Sequence, residues 1–251
     1  MSSHGLSKQE LDFFHDNGYV IRRGLLGHDL VHRLREETEK LHEEMAKNAP
    51  TNVHVSWEEL AEGKPKRIRQ LMHSEKVSPT IDAISQSAAI LDVMEQLIGP
   101  DLMLFHSKLL MKAAKDGSFT PWHQDFGYWQ YECKTPTQVN CQFAIDPAKE
   151  INGALWVYEE SHKQGLLPHK NFKSSSFSIG FEGGLDAFPR TLIELEPGDG
   201  IFFGPLLIHC SGPNKADFDR RANTMAFDKP GNRLKGELPS DNLRRGRLQT
   251  A

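Results

Sequence analysis

Past residue 100 the apolar residues fall in short runs with turn signals between them, and this pattern constrains the fold more than any other feature. Met103-Leu104-Phe105, Leu109-Leu110-Met111, Val139 to Ile145, Leu155-Trp156-Val157, Leu192-Ile193 and Ile201-Phe202-Phe203 are each too short for an ordinary helix. Asp116-Gly117, Asn152-Gly153, Pro197-Gly198 and Gly212-Pro213 punctuate them. Many short strands joined by turns predict a sandwich or jelly roll. The first hundred residues read as mostly helical. Ser7 and Glu10 form a capping box for a helix ending near Gly18. Tyr19-Val20-Ile21 is a short strand. Asp29 is expected to cap a long helix to about Asn48, with Leu30, Val31, Leu34, Leu41 and Met45 on one stripe. A further helical region starts at Pro79 and stops at Gly99-Pro100. The expectation is one α+β domain over 1–251, helical to about residue 100 and β-cored over about 101–230.

Composition removes several function classes. A chain with 14 Phe and 4 Trp carries too much apolar surface to stay disordered. No run approaches the roughly 20 apolar residues of a membrane span. With 30 basic against 34 acidic side chains, the net charge of −4 argues against a nucleic-acid binder built on phosphate contacts. Three cysteines make no disulfide framework. The N-terminal segment lacks the pattern of a secretory leader, so a cytoplasmic location is expected.

Among the twelve histidines, His123 stands two residues before Asp125, and in an extended strand both side chains point to one face. Chance alone places about one such triplet in a chain of this composition. A second feature raises its weight: Pro197-Gly198-Asp199, an apolar strand, and then His209. Two imidazoles and one carboxylate leave three positions of a ferrous ion open for a co-substrate and dioxygen; zinc uses such ligands differently. Arg220, with Arg221 beside it, follows His209 by eleven residues, and Lys112 precedes His123 by eleven. Each needs a carboxylate partner if it lies inside a barrel, or water if it lies at a strand end. His106, Lys108 and Lys112 share a strand parity, as do Asn140 and Gln142. Phe126 to Tyr131 is unusually aromatic and forms either a pocket wall or a satellite cluster. Arg67, Arg69 and His73 are expected at the surface, Arg244, Arg245 and Arg247 in a solvated tail, and Lys170 to Pro189 in a long loop of the kind that forms lids.

The chain resembles the phytanoyl-CoA dioxygenase family of Fe(II)/2-oxoglutarate oxygenases. The likeness runs through Leu6 to Val20, Trp122-His123-Gln124-Asp125, Asn152 to Leu155, Ser161 to Pro168, Pro197-Gly198-Asp199, and His209 to Asn214 before Arg220-Arg221. It departs at Glu159-Glu160, where members commonly carry Pro-Gly. The resemblance implies a double-stranded β-helix, jelly-roll or cupin-like, flanked by N-terminal helices. It implies that His123, Asp125 and His209 hold Fe(II). It assigns 2-oxoglutarate to Arg220, with Arg221 as the neighbouring alternative and Lys112, Ser211, Asn140 and Gln142 as further contacts. His162 is expected to buttress a turn. The implied activity is hydroxylation of a small polar, amino-acid-like or natural-product molecule with O2, releasing succinate and CO2. The carboxylate at Asp125 argues against halogenation. The residues alone leave two alternatives, a Zn or Mn hydrolase or isomerase and a non-catalytic metal-binding sensor.

Overall fold

Ser7 and Glu10 start the first helix, α1 (Lys8–Asn17), by bonding each other's backbone N–H, and Gly18 ends it in the left-handed region. The computed structural model describes residues 4–58, 63, 66–171, 179–181, 185 and 187–248. A short strand, β1 (Tyr19–Arg22), leads to the long helix α2 (His28–Lys47). Its cap is Gly27 rather than Asp29. Asp29 sits inside the first turn, where its charge complements the helix dipole. Val31, Leu34, Leu41 and Met45 form the buried stripe, as their spacing predicts.

The expected helical half also contains two strands, β2 (His54–Trp57) and β3 (Ile68–Met72). The short helices α3 (Pro79–Ser85) and α4 (Ala88–Ile98) follow, with Ser78 capping α3 through the Ile81 N–H. Eleven residues of β4 (Leu102–Lys112) then cross the molecule, followed by β5 (Thr120–His123) and a helical turn, α5 (Phe126–Trp129). The remaining strands are β6 (Val139–Ala144), β7 (Leu155–Tyr158), β8 (Lys170–Asn171), β9 (Ile179–Gly180), β10 (Arg190–Ile193), β11 (Gly200–Phe203), β12 (His209–Ser211), β13 (Arg220–Asp228) and β14 (Leu243–Arg245).

These strands build two antiparallel sheets. The large one runs β1-β11-β6-β13-β4-β3-β2 with β14 also on β4, and the small one runs β10-β7-β12-β5. Side chains from both sheets line one central cavity. This is the predicted jelly roll, with helices against the outer face of the large sheet. Leu34, Ile81, Ile90 and Met94 pack there against Leu71, Leu109, Phe143, Phe202 and Met225.

Alternation along β13 separates the tandem arginines. Arg221 turns to the helical side, where its guanidinium takes both Asp146 oxygens (2.7 and 3.0 Å) and Glu39 of α2 (2.6 Å). Arg220 turns into the cavity. The C-terminal arginines depart from expectation. Arg244 bonds Asp82 and Ser85, and Arg245 pairs with Asp92 and Glu95, so β14 fastens to α3 and α4 instead of trailing in solvent. The expected lid falls partly outside the described residues: 172–178, 182–184 and 186 are not described, while β8 and β9 pair as a ribbon and Phe181, Leu185 and Phe188 pack near Tyr158.

Candidate active site

The small sheet aligns the two histidines. His123 on β5 and His209 on β12 are direct cross-strand partners, with ring centroids 4.3 Å apart. His123 Nδ1 lies 2.8 Å from the Pro121 carbonyl, and His209 Nδ1 lies 3.0 Å from that of Leu207. Each Nδ1–H therefore donates to backbone, which leaves both Nε2 lone pairs directed inward. Asp125, at the start of α5, brings Oδ1 to 3.6 Å from His123 Nε2 and Oδ2 to 3.9 Å from His209 Nε2. The three ligand atoms lie within 4.8 Å of one another and all three residues are buried.

Two features fix the carboxylate. Asn140 Nδ2 donates to Asp125 Oδ2 at 2.9 Å. Gln124, fully buried between His123 and Asp125, points away from them. Its amide binds the carbonyls of Gly165 and Leu206 and the Leu167 N–H, while its backbone N–H donates to His169 Nε2. The residue between His and Asp thus clamps the loop that holds both. Burial by itself raises the Asp125 carboxyl, but the His209 and His123 imidazoles and Lys108 outweigh it and hold it well below the usual carboxylate range. Burial, then His123, pushes His209 down to about 4 despite Asp125. At neutral pH the site holds a carboxylate and a neutral His209, the protonation states a metal requires.

The cluster fits a divalent ion. Separations of 3.6 and 3.9 Å are near the roughly 3 Å expected between adjacent ligands with bonds of about 2.1 Å. Among the described residues no fourth His, Cys, Asp or Glu joins the group, so the closed tetrahedron of a structural zinc does not form.

Strand register arranges the wall behind the His-Asp-His cluster. On one face of the large sheet, Lys112 pairs with Arg220, Leu110 with Ala222, and Lys108 with Thr224 and through it Gln142. The cavity that all of these but Ala222 line, with Arg69, Ser118, Thr120, Phe203 and Ser211, encloses about 730 Å³ including its mouth. Arg220 is 3% exposed and its Nη2 donates to the Gly153 carbonyl. Its Nε has no hydrogen-bond partner, and among the described residues no carboxylate comes within ion-pair distance. Burial pushes the guanidinium down to about 10. A buried, unpaired guanidinium facing a cavity fits the free carboxylate of 2-oxoglutarate.

Gly153 explains part of this geometry. Its φ is +80°, and a Cβ there would stand 2.4 Å from the Gly212 carbonyl oxygen. The Asn152-Gly153 turn therefore approaches closely enough for its carbonyl to hold Arg220. Lys112 is buried with Nζ on the Ser118 carbonyl, and burial, then Arg220 and Arg69, pushes its pKa well down. Ser211 lines the cavity without a hydrogen bond from its hydroxyl among the described residues. Gln142 lines it too, and accepts from Thr224. Asn140, expected on the co-substrate, instead directs its amide nitrogen to Asp125.

Other expectations divide. Arg69 is buried and reaches the cavity, donating to the Phe119 carbonyl, whereas Arg67 pairs with Asp219. His162 buttresses a turn as expected: its Nε2 meets the His15 carbonyl, and a Cβ on Gly18 would stand 2.6 Å from its ring. The aromatic stretch is split. Tyr128 and Trp129 line a second cavity, Phe126 packs with Phe105, and Tyr131 is 78% exposed.

The family profile described as phytanoyl-CoA dioxygenase matches residues 14–222. The chain belongs to the phytanoyl-CoA dioxygenase family. A probable phytanoyl-CoA dioxygenase of Caenorhabditis elegans is 30% identical over 235 residues, spanning 86% of this chain and 73% of the relative. A methylphosphonate hydroxylase of Gimesia maris is 25% identical over 224 residues, spanning 89% and 81%. Among solved structures, EctD from S. alaskensis with 2-oxoglutarate and 5-hydroxyectoine matches with a TM-score of 0.78 at 20% identity, covering 100% of this chain and 88% of that one. As a family member the chain is an oxygenase dependent on iron, 2-oxoglutarate and O2. No helix among its described residues is long and apolar enough to cross a membrane.

Proposed function

We propose that this oxygenase hydroxylates a small polar metabolite, with His123, Asp125 and His209 as the iron ligands and Arg220 as the partner of the distal 2-oxoglutarate carboxylate. The observation that carries the reading is Arg220: a guanidinium 3% exposed, unpaired, and facing the cavity the three donors also face. A hydrolase or sensor on this fold gives that charge no partner. Bound iron supplies the oxidation, in which 2-oxoglutarate and O2 yield succinate, CO2 and oxygenated substrate.

The chain's own residues position and exclude. The backbone carbonyls of Pro121 and Leu207 orient the two imidazoles, and Asn140 orients the carboxylate. Gln124 locks the ligand loop. Lys112 and Ser211 line the co-substrate end of the cavity, Gln142 lines it on the Lys108–Thr224 row, and Leu155 and Phe203 keep it partly dry. Relatives named for methylphosphonate and ectoine support a free small molecule as substrate. Three unpaired cysteines agree with a reducing, cytoplasmic setting. Asp125→Ala should abolish substrate-dependent succinate release while the protein keeps its far-UV circular dichroism. Retained turnover in that variant would remove the metal assignment.

A further inference from the structure

A second cavity opens on the other side of the metal ligands, and its chemistry differs from that of the co-substrate end. Its walls include His106, Tyr128, Trp129 and Arg233, and it shares Gln70, Lys108 and Asp125 with the first cavity. The two cavities therefore meet at the carboxylate ligand, with Lys108 on the boundary between them.

Among the described residues Lys108 has no counter-ion. Among the described residues its Nζ makes no hydrogen bond and no ion pair; its one specific contact is the face of Trp129, 5.8 Å to the ring centroid. Asp125 is the acid that acts on it electrostatically, but that charge would be taken by bound iron. Of the other formal charges on this cavity, Arg233 is paired with Glu132 at 2.8 Å. With the acid of the metal site discounted, Lys108 and Arg233 against Glu132 leave one positive charge uncompensated.

His106 adds a donor beside it. A register shift between Ala226 and Phe227 breaks the alternation of β4, so the consecutive rings of Phe105 and His106 both meet Trp129, at 5.3 and 5.4 Å. His106 is buried, and among the described residues its Nε2 has no hydrogen-bond partner. Burial, reinforced by Lys108, keeps the imidazole neutral. The outcome is an ammonium and an imidazole, both unpartnered, beside one indole and next to the metal site. A half-buried ammonium and a buried ring nitrogen without acceptors are costly unless a ligand supplies them.

We propose that the substrate is a small organic acid whose anionic group seats on Lys108 Nζ and His106 Nε2 against Trp129, which leaves a C–H bond of its carbon skeleton facing the iron. The inference rests on the oxygenase reading above and names the substrate class for that site. Arg220 is a poor competitor for this anion. It lies four residues farther along the paired strands from Lys108, roughly 13 Å of backbone, where the co-substrate carboxylate takes it.

Anaerobic calorimetry on the Fe(II)- and 2-oxoglutarate-loaded protein tests this without turnover. The probes are butanoate, propylphosphonate and propanesulfonate, with butanamide and butylamine as neutral and cationic counterparts. At least one acid should bind about tenfold or more tightly than the amide, and the ranking of the three acids identifies the anionic group. Lys108→Met should weaken that acid by about 30-fold or more, Lys108→Arg should restore most of the affinity, and His106→Phe should cost about five- to tenfold. The amide and 2-oxoglutarate should bind wild type and Lys108→Met alike, and an unchanged melting temperature certifies the fold. The proposal is overturned if no acid outbinds the amide, if Lys108→Met leaves the acid unaffected, or if that variant loses 2-oxoglutarate instead. A wild-type protein that takes up neither iron nor 2-oxoglutarate fails the oxygenase reading rather than this one.

Discussion

Replacing Arg220 with methionine should raise stability and remove co-substrate binding at once. In the free protein the guanidinium is buried with no carboxylate at ion-pair distance among the described residues, and burial pushes it down to about 10 although Asp146 acts the other way. Against an ordinary arginine this is a penalty of roughly 3 kcal/mol on the charged form. Methionine removes the charge and keeps much of the volume, but it strands the Gly153 carbonyl that Arg220 Nη2 now satisfies. That loss costs about 1–2 kcal/mol. The balance is a gain of about 1–2 kcal/mol, or a few degrees in melting temperature for a chain of this size. Binding moves the other way. A buried carboxylate deprived of its charged partner loses about 2–5 kcal/mol, so the 2-oxoglutarate Kd should rise at least about 30-fold. Urea denaturation of the metal-free protein and calorimetric titration of the iron-loaded protein give the two numbers. Arg220→Lys, which keeps the charge without the planar fork, should fall between wild type and methionine in both. A methionine variant that is less stable than wild type and binds 2-oxoglutarate normally would falsify the assignment of Arg220.

Two further outcomes follow from the same geometry. Asn140→Ala removes the hydrogen bond that orients Asp125, and iron affinity should fall about 10- to 100-fold with little loss of stability, measurable by competition with a chromogenic chelator. Acid should destabilise the metal-free protein through its buried imidazole. His209 is held at about 4 in the folded chain, below the ordinary histidine value near 6.5. Its contribution is complete above about pH 6.5 and is lost as pH falls toward 4, about 3 kcal/mol in all. His106, also pushed down by burial, adds a loss of the same sign. A melting temperature that stays flat from pH 6.5 to 4.5 would contradict this.

What the sequence made legible was set by local rules. The capping box of α1, the apolar stripe of α2 and the strand-and-turn rhythm past residue 100 are short-range patterns, and the fold follows them. Strand β2 escaped because its alternation, Val53-His54-Val55-Ser56-Trp57, is short and sits in a polar stretch, and β3 because Ile68 to Met72 does not alternate. Once β3 joins β4, Arg69 is carried into the cavity, which no local feature of that stretch announces. Arg244 and Arg245 read as a solvated tail because their partners Asp82, Asp92 and Glu95 lie some 150 residues earlier. The tandem at 220 and 221 needed the direction of one strand, and Asp146 with Glu39 on the far side settles which arginine faces the cavity. The roles of Asn140 and Gln124 depend on where an amide points once the chain has folded.

The most direct measurement is an anaerobic titration of Fe(II) into the protein in the presence of 2-oxoglutarate, followed by the visible charge-transfer absorption of the chelated metal. Wild type should develop the band with one iron per chain, and Asp125→Ala and His209→Ala should develop none while melting cooperatively. A full band in either variant, or its absence from the wild type, would contradict a centre built from these three side chains.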